Sequence, residues 1–449
     1  MATTTRAFGD PNLTPDNFDD FSAQETNADS AATGLTLLEP FPAARSTMPM
    51  DLGKVIDTST IGQSGQITFH TVGDTGGIQH PEYQFAVADA MASDVANGVA
   101  FWYHLGDVVY YFGQEQYYFE QFYDPYRDYN APIFAIAGNH DGAVYKGETE
   151  KSLAAFVANF CDATPTHSPD SQGAVRTTMD QPGVYFTLNA PFVKFIGLYS
   201  NTGEGSTEGV ISGSKVGNAQ ITFLQQQLAQ AKAERANNQW RALVIATHHP
   251  PFTGSPEHVP SPTMLKQIDD ECAAAGIQPD LYLSGHAHLY ERYTRTVGGK
   301  QIPFIVAGMG GYYNLPGLKK GKQAAVPKTP QSGTDQSDNP LTLEVYNDTT
   351  FGFLRLTVRA GANVGPGSIS GVFVTVDAAT GKTGVGDCFS VDLQQGTMAA
   401  AKKAAAVSAG KKKAGSAIRK AASKPAQGRK PAKQAPAKKA GRSRGGDKA

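Results

Sequence analysis

Cysteine is scarce in this chain: Cys161, Cys272 and Cys388 are the three among 449 residues, an odd number with no C-x-x-C spacing. That leaves no basis for a disulfide framework or a thiolate zinc site, and reduced, structural cysteines are expected. Long apolar runs are missing too. No segment approaches the roughly 18 consecutive apolar residues of a membrane-crossing helix, and the opening MATTTRAFGDPNLTPDNFDDF lacks the basic stretch and apolar run of a secretory signal. A soluble, cytoplasmic protein is the expectation. The end of the chain lacks acids instead: from Ala401 to Ala449 there are 16 Lys or Arg against a single carboxylate, Asp447.

What is present is ordinary for a globular body, with 40% hydrophobic and 10% aromatic residues. The formal net charge of -2 conceals a strong polarity, because the first 400 residues carry about -17 and the remainder about +15. Composition divides the chain into three. Residues 1–60 are acidic and rich in Pro, Thr, Ser and Asp, an arm expected to be ordered where it docks. Residues 61–396 alternate apolar β-type runs with helical patterns, the helices expected at Glu82 to Ala96, Leu153 to Phe160, Ala219 to Arg235 and Pro262 to Ala275. A loop from Gly308 to about Pro340 interrupts the body, and FGFLRLTVRA, GVFVTVDA and CFSVDL then alternate with period two, as antiparallel strands do. Residues 397–449 collapse into Lys, Ala and Pro, a composition that cannot bury enough apolar surface to fold alone.

The chemistry is concentrated where five apolar runs end. ITFHTV stops at GD (Asp74), VAFWYHL at GD (Asp107), PIFAIA at GNHD (Asn139, His140, Asp141), ALVIAT at HH (His248, His249) and DLYLS at GHAH (His286, His288). Strands ending in glycine and then a carboxylate, amide or imidazole place those groups on the loops at one sheet edge, the carboxyl edge, where open α/β sheets bind ligands. Carboxylate and amide oxygens together with imidazoles suit first-row transition metals, and one carboxylate can bridge two ions about 3.5 to 4 Å apart. A dinuclear centre is the reading, with either His248 or His249 as ligand.

The ordered series DTG, GDVVY, GNHD, IATH and GHAH, extended as GHAHLYER, resembles the purple acid phosphatase branch of the calcineurin-like metallophosphoesterases across residues 74 to 293. The resemblance implies an α/β fold, a four-layer αββα sandwich of two mixed sheets flanked by helices, with the metal site at the carboxyl ends of strands. It also accounts for a missing ligand. Two-metal phosphoesterases often carry a histidine two residues after the first aspartate, yet Asp74 is followed by Thr75 and Gly76. In this branch a tyrosine three residues after the second aspartate takes its place, here Tyr110.

Carried over by position, one metal would be bound by Asp74, Asp107, Tyr110 and His288, and a second by Asp107, Asn139, His248 and His286, with Asp107 bridging. His248 is preferred to His249 because its H-x-P spacing, ending at Pro250, matches the family's block. The first ion would be Fe(III), whose bond to a tyrosinate gives the violet colour, and the second Fe(II), Zn(II) or Mn(II). The implied reaction is hydrolysis of a phosphate ester by attack of metal-bound hydroxide, with His140 and His258 as catalytic helpers. Asp141 stands where many relatives have Glu and is expected to hydrogen-bond a neighbouring imidazole or backbone group. His104 is expected to be a satisfied buried histidine. Tyr111, Phe112, Tyr145, Tyr312 and Tyr313 are candidates for shaping the substrate pocket, and the loops at 142–150, 201–216 and 308–340 for choosing the substrate.

The basic tail sustains two other readings. A polyanion-binding protein could act through residues 401–449 with an inactive body, but retention of every expected ligand argues against this. A phosphodiesterase or nuclease could use the tail to recruit nucleic acid by counterion release, although relatives with that activity usually keep the first histidine.

Overall fold

The computed structural model describes residues 44–143, 151–201, 208–214, 217–315, 317–318 and 327–400. The acidic arm before residue 44, the tail from residue 401, Tyr145 and much of the three candidate specificity loops lie outside the described residues. Among the described residues no helix is long and apolar enough to cross a membrane.

Two mixed sheets carry the body. The seven-stranded sheet runs, edge to edge, Thr397–Ala400, Lys382–Asp392, Ser368–Asp377, Phe351–Arg359, Gln66–Val72, Val99–His104, Ile133–Ala135. Its last three strands are mutually parallel, and Phe351–Arg359 closes on Gln66–Val72 antiparallel. The nine-stranded sheet runs Met50–Asp51, Phe186–Ala190, Val193–Gly197, Ala242–Ala246, Leu281–Ser284, Lys300–Ala307, Tyr290–Val297, Pro340–Asn347, Gln331–Thr334. Its centre is parallel from Val193–Gly197 through Lys300–Ala307.

Period-two alternation explains the layering. Phe69, Phe101 and Tyr103 of the first sheet point inward, where Phe195 of the second meets them: it stacks on Tyr103 at 4.4 Å between ring centroids and abuts Phe69 edge-on at 5.2 Å. His70, one residue along, faces the opposite side and bonds Asp94 at the end of the Pro81–Asp94 helix, 2.9 Å away. That helix covers the outer face of the first sheet at Phe351–Arg359 and Ser368–Asp377, while Ala219–Ala236 and Pro262–Ala275 pack together beside the second. The result is the four-layer arrangement expected from the resemblance.

The four helices begin and end within two residues of the expected limits. Three short strands were not expected. Thr397–Ala400, placed with the basic tail on composition, pairs antiparallel with Phe389–Asp392, so the folded body runs past residue 396. Met50–Asp51, placed with the acidic arm on composition, pairs parallel with Leu188 and Asn189, so the folded body begins before residue 61. Gln331–Thr334, placed within the long loop, pairs with Pro340–Leu343; all four residues are exposed, so no apolar alternation marks them.

Candidate metal centre

All five polar clusters lie just past the carboxyl ends of parallel strands: Asp74 after Gln66–Val72, Asp107 and Tyr110 after Val99–His104, Asn139 after Ile133–Ala135, His248 after Ala242–Ala246, and His286 and His288 after Leu281–Ser284. The two sheets contribute differently. Every oxygen donor (Asp74, Asp107, Tyr110, Asn139) comes from the seven-stranded sheet, and every imidazole (His248, His286, His288) from the nine-stranded one. Asp74, Asp107 and His286 take left-handed backbone conformations, with φ of 56°, 53° and 68°. Such conformations cost a non-glycine residue about 1 kcal/mol or more each. They let the chain reverse as each strand ends, so that the side chain points back over the sheet edge.

The donor atoms fall into two groups that share Asp107. In one, Tyr110 Oη lies 3.2 Å from Asp107 Oδ2, 3.4 Å from Asp74 Oδ1 and 3.4 Å from His288 Nε2, and His288 Nε2 is 3.5 Å from Asp74 Oδ1. In the other, His248 Nε2 lies 3.0 Å from Asn139 Oδ1 and 3.2 Å from Asp107 Oδ2. Asp107, His248 and His286 each offer an atom within 4.8 Å of the others. Ligand atoms about 2.1 Å from a shared ion stand roughly 3.0 to 3.4 Å apart, so these separations suit cations seated between the groups.

Proton bookkeeping points the same way. His248 Nδ1 is 2.8 Å from the Leu105 carbonyl, which only accepts, so Nδ1 carries the proton. Nε2 then faces two oxygens, Asn139 Oδ1 and Asp107 Oδ2, that cannot donate to it. Without a cation this arrangement forces a second proton onto the ring: burial disfavours the charge, but Asp107 outweighs it and raises His248 to about 9. Burial would likewise raise Asp107, yet His248 and His140 reverse that and hold its carboxyl below the usual range. Asp74 is pushed well above its ordinary value by burial. A pair of cations would remove these conflicts, and the residues present fit such a pair.

Gly76 and Tyr110 are geometrically linked. A Cβ at position 76 would sit 2.5 Å from Tyr110 Cδ2 and collide with Gln121 Oε1. The phenol ring therefore occupies the space that a histidine at this position would need. Gly76→His is expected to destabilise the fold by about 1–3 kcal/mol through overpacking and to displace Tyr110, which denaturant melts and visible spectra of the variant would register together. Gly138 serves a similar end, because Asp107 Oδ1 fills the volume of its missing Cβ.

The remaining expected residues distribute as follows. His140 donates its backbone N–H to Asp107 Oδ1 at 3.0 Å and fixes its ring through Nδ1 on the Tyr111 carbonyl at 2.8 Å. Its ring lies 4.4 Å from that of Tyr110. His258 stands 4.2 Å from the His286 ring and 5.1 Å from that of His288. His249 meets Ser200 Oγ through Nδ1 at 3.1 Å, whereas His248 Nε2 faces Asn139 and Asp107. Asp141 accepts from the backbone N–H groups of Val108, Val109 and Gly138; burial and then Asp107 raise its carboxyl to about 7. His104 is fully buried, accepts from Gly106 N–H at Nδ1 and donates through Nε2 to Thr75 Oγ1 at 2.8 Å.

Two contributors were not foreseen. Gln121 grips Tyr110 by both backbone groups, Oε1 accepting its N–H at 2.9 Å and Nε2 donating to its C=O at 2.7 Å. A lone glutamine in FEQFY carries no pattern that would reveal this. Tyr312 stacks on Tyr110 at 4.1 Å and packs against His288 at 4.5 Å, and its N–H donates to the Asp74 carbonyl at 3.0 Å. The sequence offered Tyr312 as one of several pocket-shaping aromatics, not as a support for the tyrosine.

The sequence matches the calcineurin-like phosphoesterase family over residues 67–290, a span that contains all seven expected donors. No curated protein matches the chain. Among solved structures it is similar to GAP50, the anchor in the inner membrane complex of Plasmodium, at 14% identity and a TM-score of 0.44, covering 71% of this chain and 88% of that one. It is also similar to a Staphylococcus aureus protein assigned as a 5'-nucleotidase, at 14% identity and a TM-score of 0.29, covering 73% of this chain and about half of that one, 54%. Identity rests on the family match: this chain carries a calcineurin-like phosphoesterase domain, whose chemistry is the metal-dependent hydrolysis of phosphoesters.

Proposed function

We propose that the protein is a purple acid phosphatase-like phosphoesterase with a dinuclear centre. One ion would be Fe(III), held by Asp74, Asp107, Tyr110 and His288; the other Fe(II), Zn(II) or Mn(II), held by Asp107, Asn139, His248 and His286. The observation that carries this reading is the phenol oxygen of Tyr110 lying among Asp74, Asp107 and His288 while its ring fills the space beside Gly76. When bound, the ions supply an activated water near neutral pH and countercharge for the phosphoryl oxygens. The protein's own groups supply orientation and protons. Asp107, anchored by the His140 N–H, keeps the two donor groups in register. The His140 ring, fixed by the Tyr111 carbonyl, would protonate the leaving oxygen, and His258 would contact the phosphoryl group.

The charge asymmetry favours a second activity beside the first. Residues 401–449 are proposed to bind nucleic acid or another polyanion, without sequence specificity and with steep salt dependence. Removal of residues 401–449 is expected to leave turnover of a small phosphomonoester within about twofold while abolishing retention on a polyanion column. Asn139→Ala is expected to lower turnover about 100-fold and leave that retention intact. If the deletion instead abolishes activity and Asn139→Ala changes nothing, the hydrolase reading fails.

A further inference from the structure

The strand Tyr290–Val297 begins two residues after His288 and brings a buried carboxyl under the neighbouring turn. Glu291 is fully buried, and no cation pairs with it among the described residues. Burial raises it to about 7. A carboxyl in such a place is costly to stability, so its contacts are informative. Glu291 Oε1 accepts the Gly254 N–H at 2.9 Å and the Tyr293 hydroxyl at 3.3 Å. Oε2 has no hydrogen-bond partner among the described residues.

What the carboxyl holds is the segment Phe252 to His258. Phe252 packs on the Tyr293 ring at 5.9 Å. Past Gly254, Ser255 Oγ accepts the N–H groups of Glu257 and His258 at 3.3 and 3.4 Å, and Asn314 Nδ2 donates to Glu257 Oε2 at 3.2 Å. The segment ends with His258 lying over His286 and His288. Position 254 has little room for a side chain, since a Cβ there would sit 3.1 Å from Glu291 Oε1. We propose that Glu291 is a positioning residue, whose carboxyl fixes the Thr253–Gly254 backbone and thereby sets His258 over the metal-binding histidines. This rests on the reading of His258 as the phosphoryl-contacting group.

The test is a double-mutant cycle on the full-length, metal-loaded protein, read by inhibition with inorganic phosphate alongside metal content and visible spectrum. Glu291→Ala and His258→Ala are each expected to weaken phosphate inhibition about tenfold, with two metal ions and the spectrum unmoved. The double variant is expected to be no weaker than His258→Ala. Glu291→Gln, whose amide copies the shape of a neutral carboxyl and keeps the acceptor for Gly254, is expected to recover most of the loss. Losses that add in the double variant, or a wild-type phosphate response in Glu291→Ala when His258→Ala is impaired, overturn the inference. A wild-type phosphate response in His258→Ala would instead remove the reading of His258 itself. If Glu291→Ala does not fold, Gly254→Ala strains the same contact with the carboxyl retained. It must then show the same pattern against His258→Ala, and its failure to do so overturns the inference equally.

Discussion

Purified, oxidised protein is expected to be violet and to contain two metal ions per chain, and Tyr110→Phe is expected to be colourless. The expectation follows from one atom. Tyr110 Oη is the part of the residue that meets Asp74, Asp107 and His288, and phenylalanine deletes it alone. The rest of the residue is held independently, by Gln121 on its backbone and Tyr312 on its ring face. The variant should therefore keep its fold and its melting behaviour while losing the charge-transfer band. Turnover should fall about tenfold or more, close to 1.4 kcal/mol of transition-state stabilisation. An oxidised wild type with two metals and no colour would show that the phenol oxygen is not a ligand to Fe(III), and the purple acid phosphatase-like assignment would go with it.

Asp107→Asn is expected to have the largest effect of any single substitution. Asp107 is the member common to both donor groups, with Oδ2 3.2 Å from Tyr110 Oη and 3.2 Å from His248 Nε2, and Oδ1 accepting the His140 N–H. An amide keeps the shape but loses the charge and half of the acceptor capacity, so both positions suffer together. Metal content should fall from two ions to fewer than one per chain by elemental analysis. Hydrolysis of phosphate esters should fall at least ~10³-fold, about 4 kcal/mol. A variant that retained both ions and most of its activity would mean that position 107 does not bridge them.

Much of this site was readable before any coordinates because its parts stand at the ends of strands. A strand of alternating apolar residues has to stop somewhere, and glycine followed by Asp, Asn or His marks the stop. That rule located Asp74, Asp107, Asn139 and His286 at the sheet edges where the structure has them, with His288 two residues on, while His248 was marked by the end of the apolar run ALVIAT without a glycine. Tyr110 came from the family resemblance instead, in which a tyrosine three residues after the second aspartate replaces the histidine that is absent at Gly76. His248 was preferred to His249 on its H-x-P spacing, and the hydrogen-bond partners agree with that choice: the Leu105 carbonyl and Asn139 for His248, Ser200 for His249. Gln121 and Glu291 were invisible for a related reason. Each acts on a backbone group that the sequence does not reveal, eleven residues away in one case and 37 in the other. Met50–Asp51, Gln331–Thr334 and Thr397–Ala400 escaped notice because an edge strand is held by its ladder, and none needs an apolar face to form.

The separation of oxygen donors on one sheet from imidazoles on the other has a consequence for cohesion. Each ion would act as a rivet through the two β-layers, joining a jaw that bears negative charge to one that bears none. Binding energy and layer adhesion then become a single quantity: every tenfold rise in free metal above the dissociation constant adds about 1.4 kcal/mol to the grip between halves of the body. Loss of the ions would loosen the molecule first along that seam.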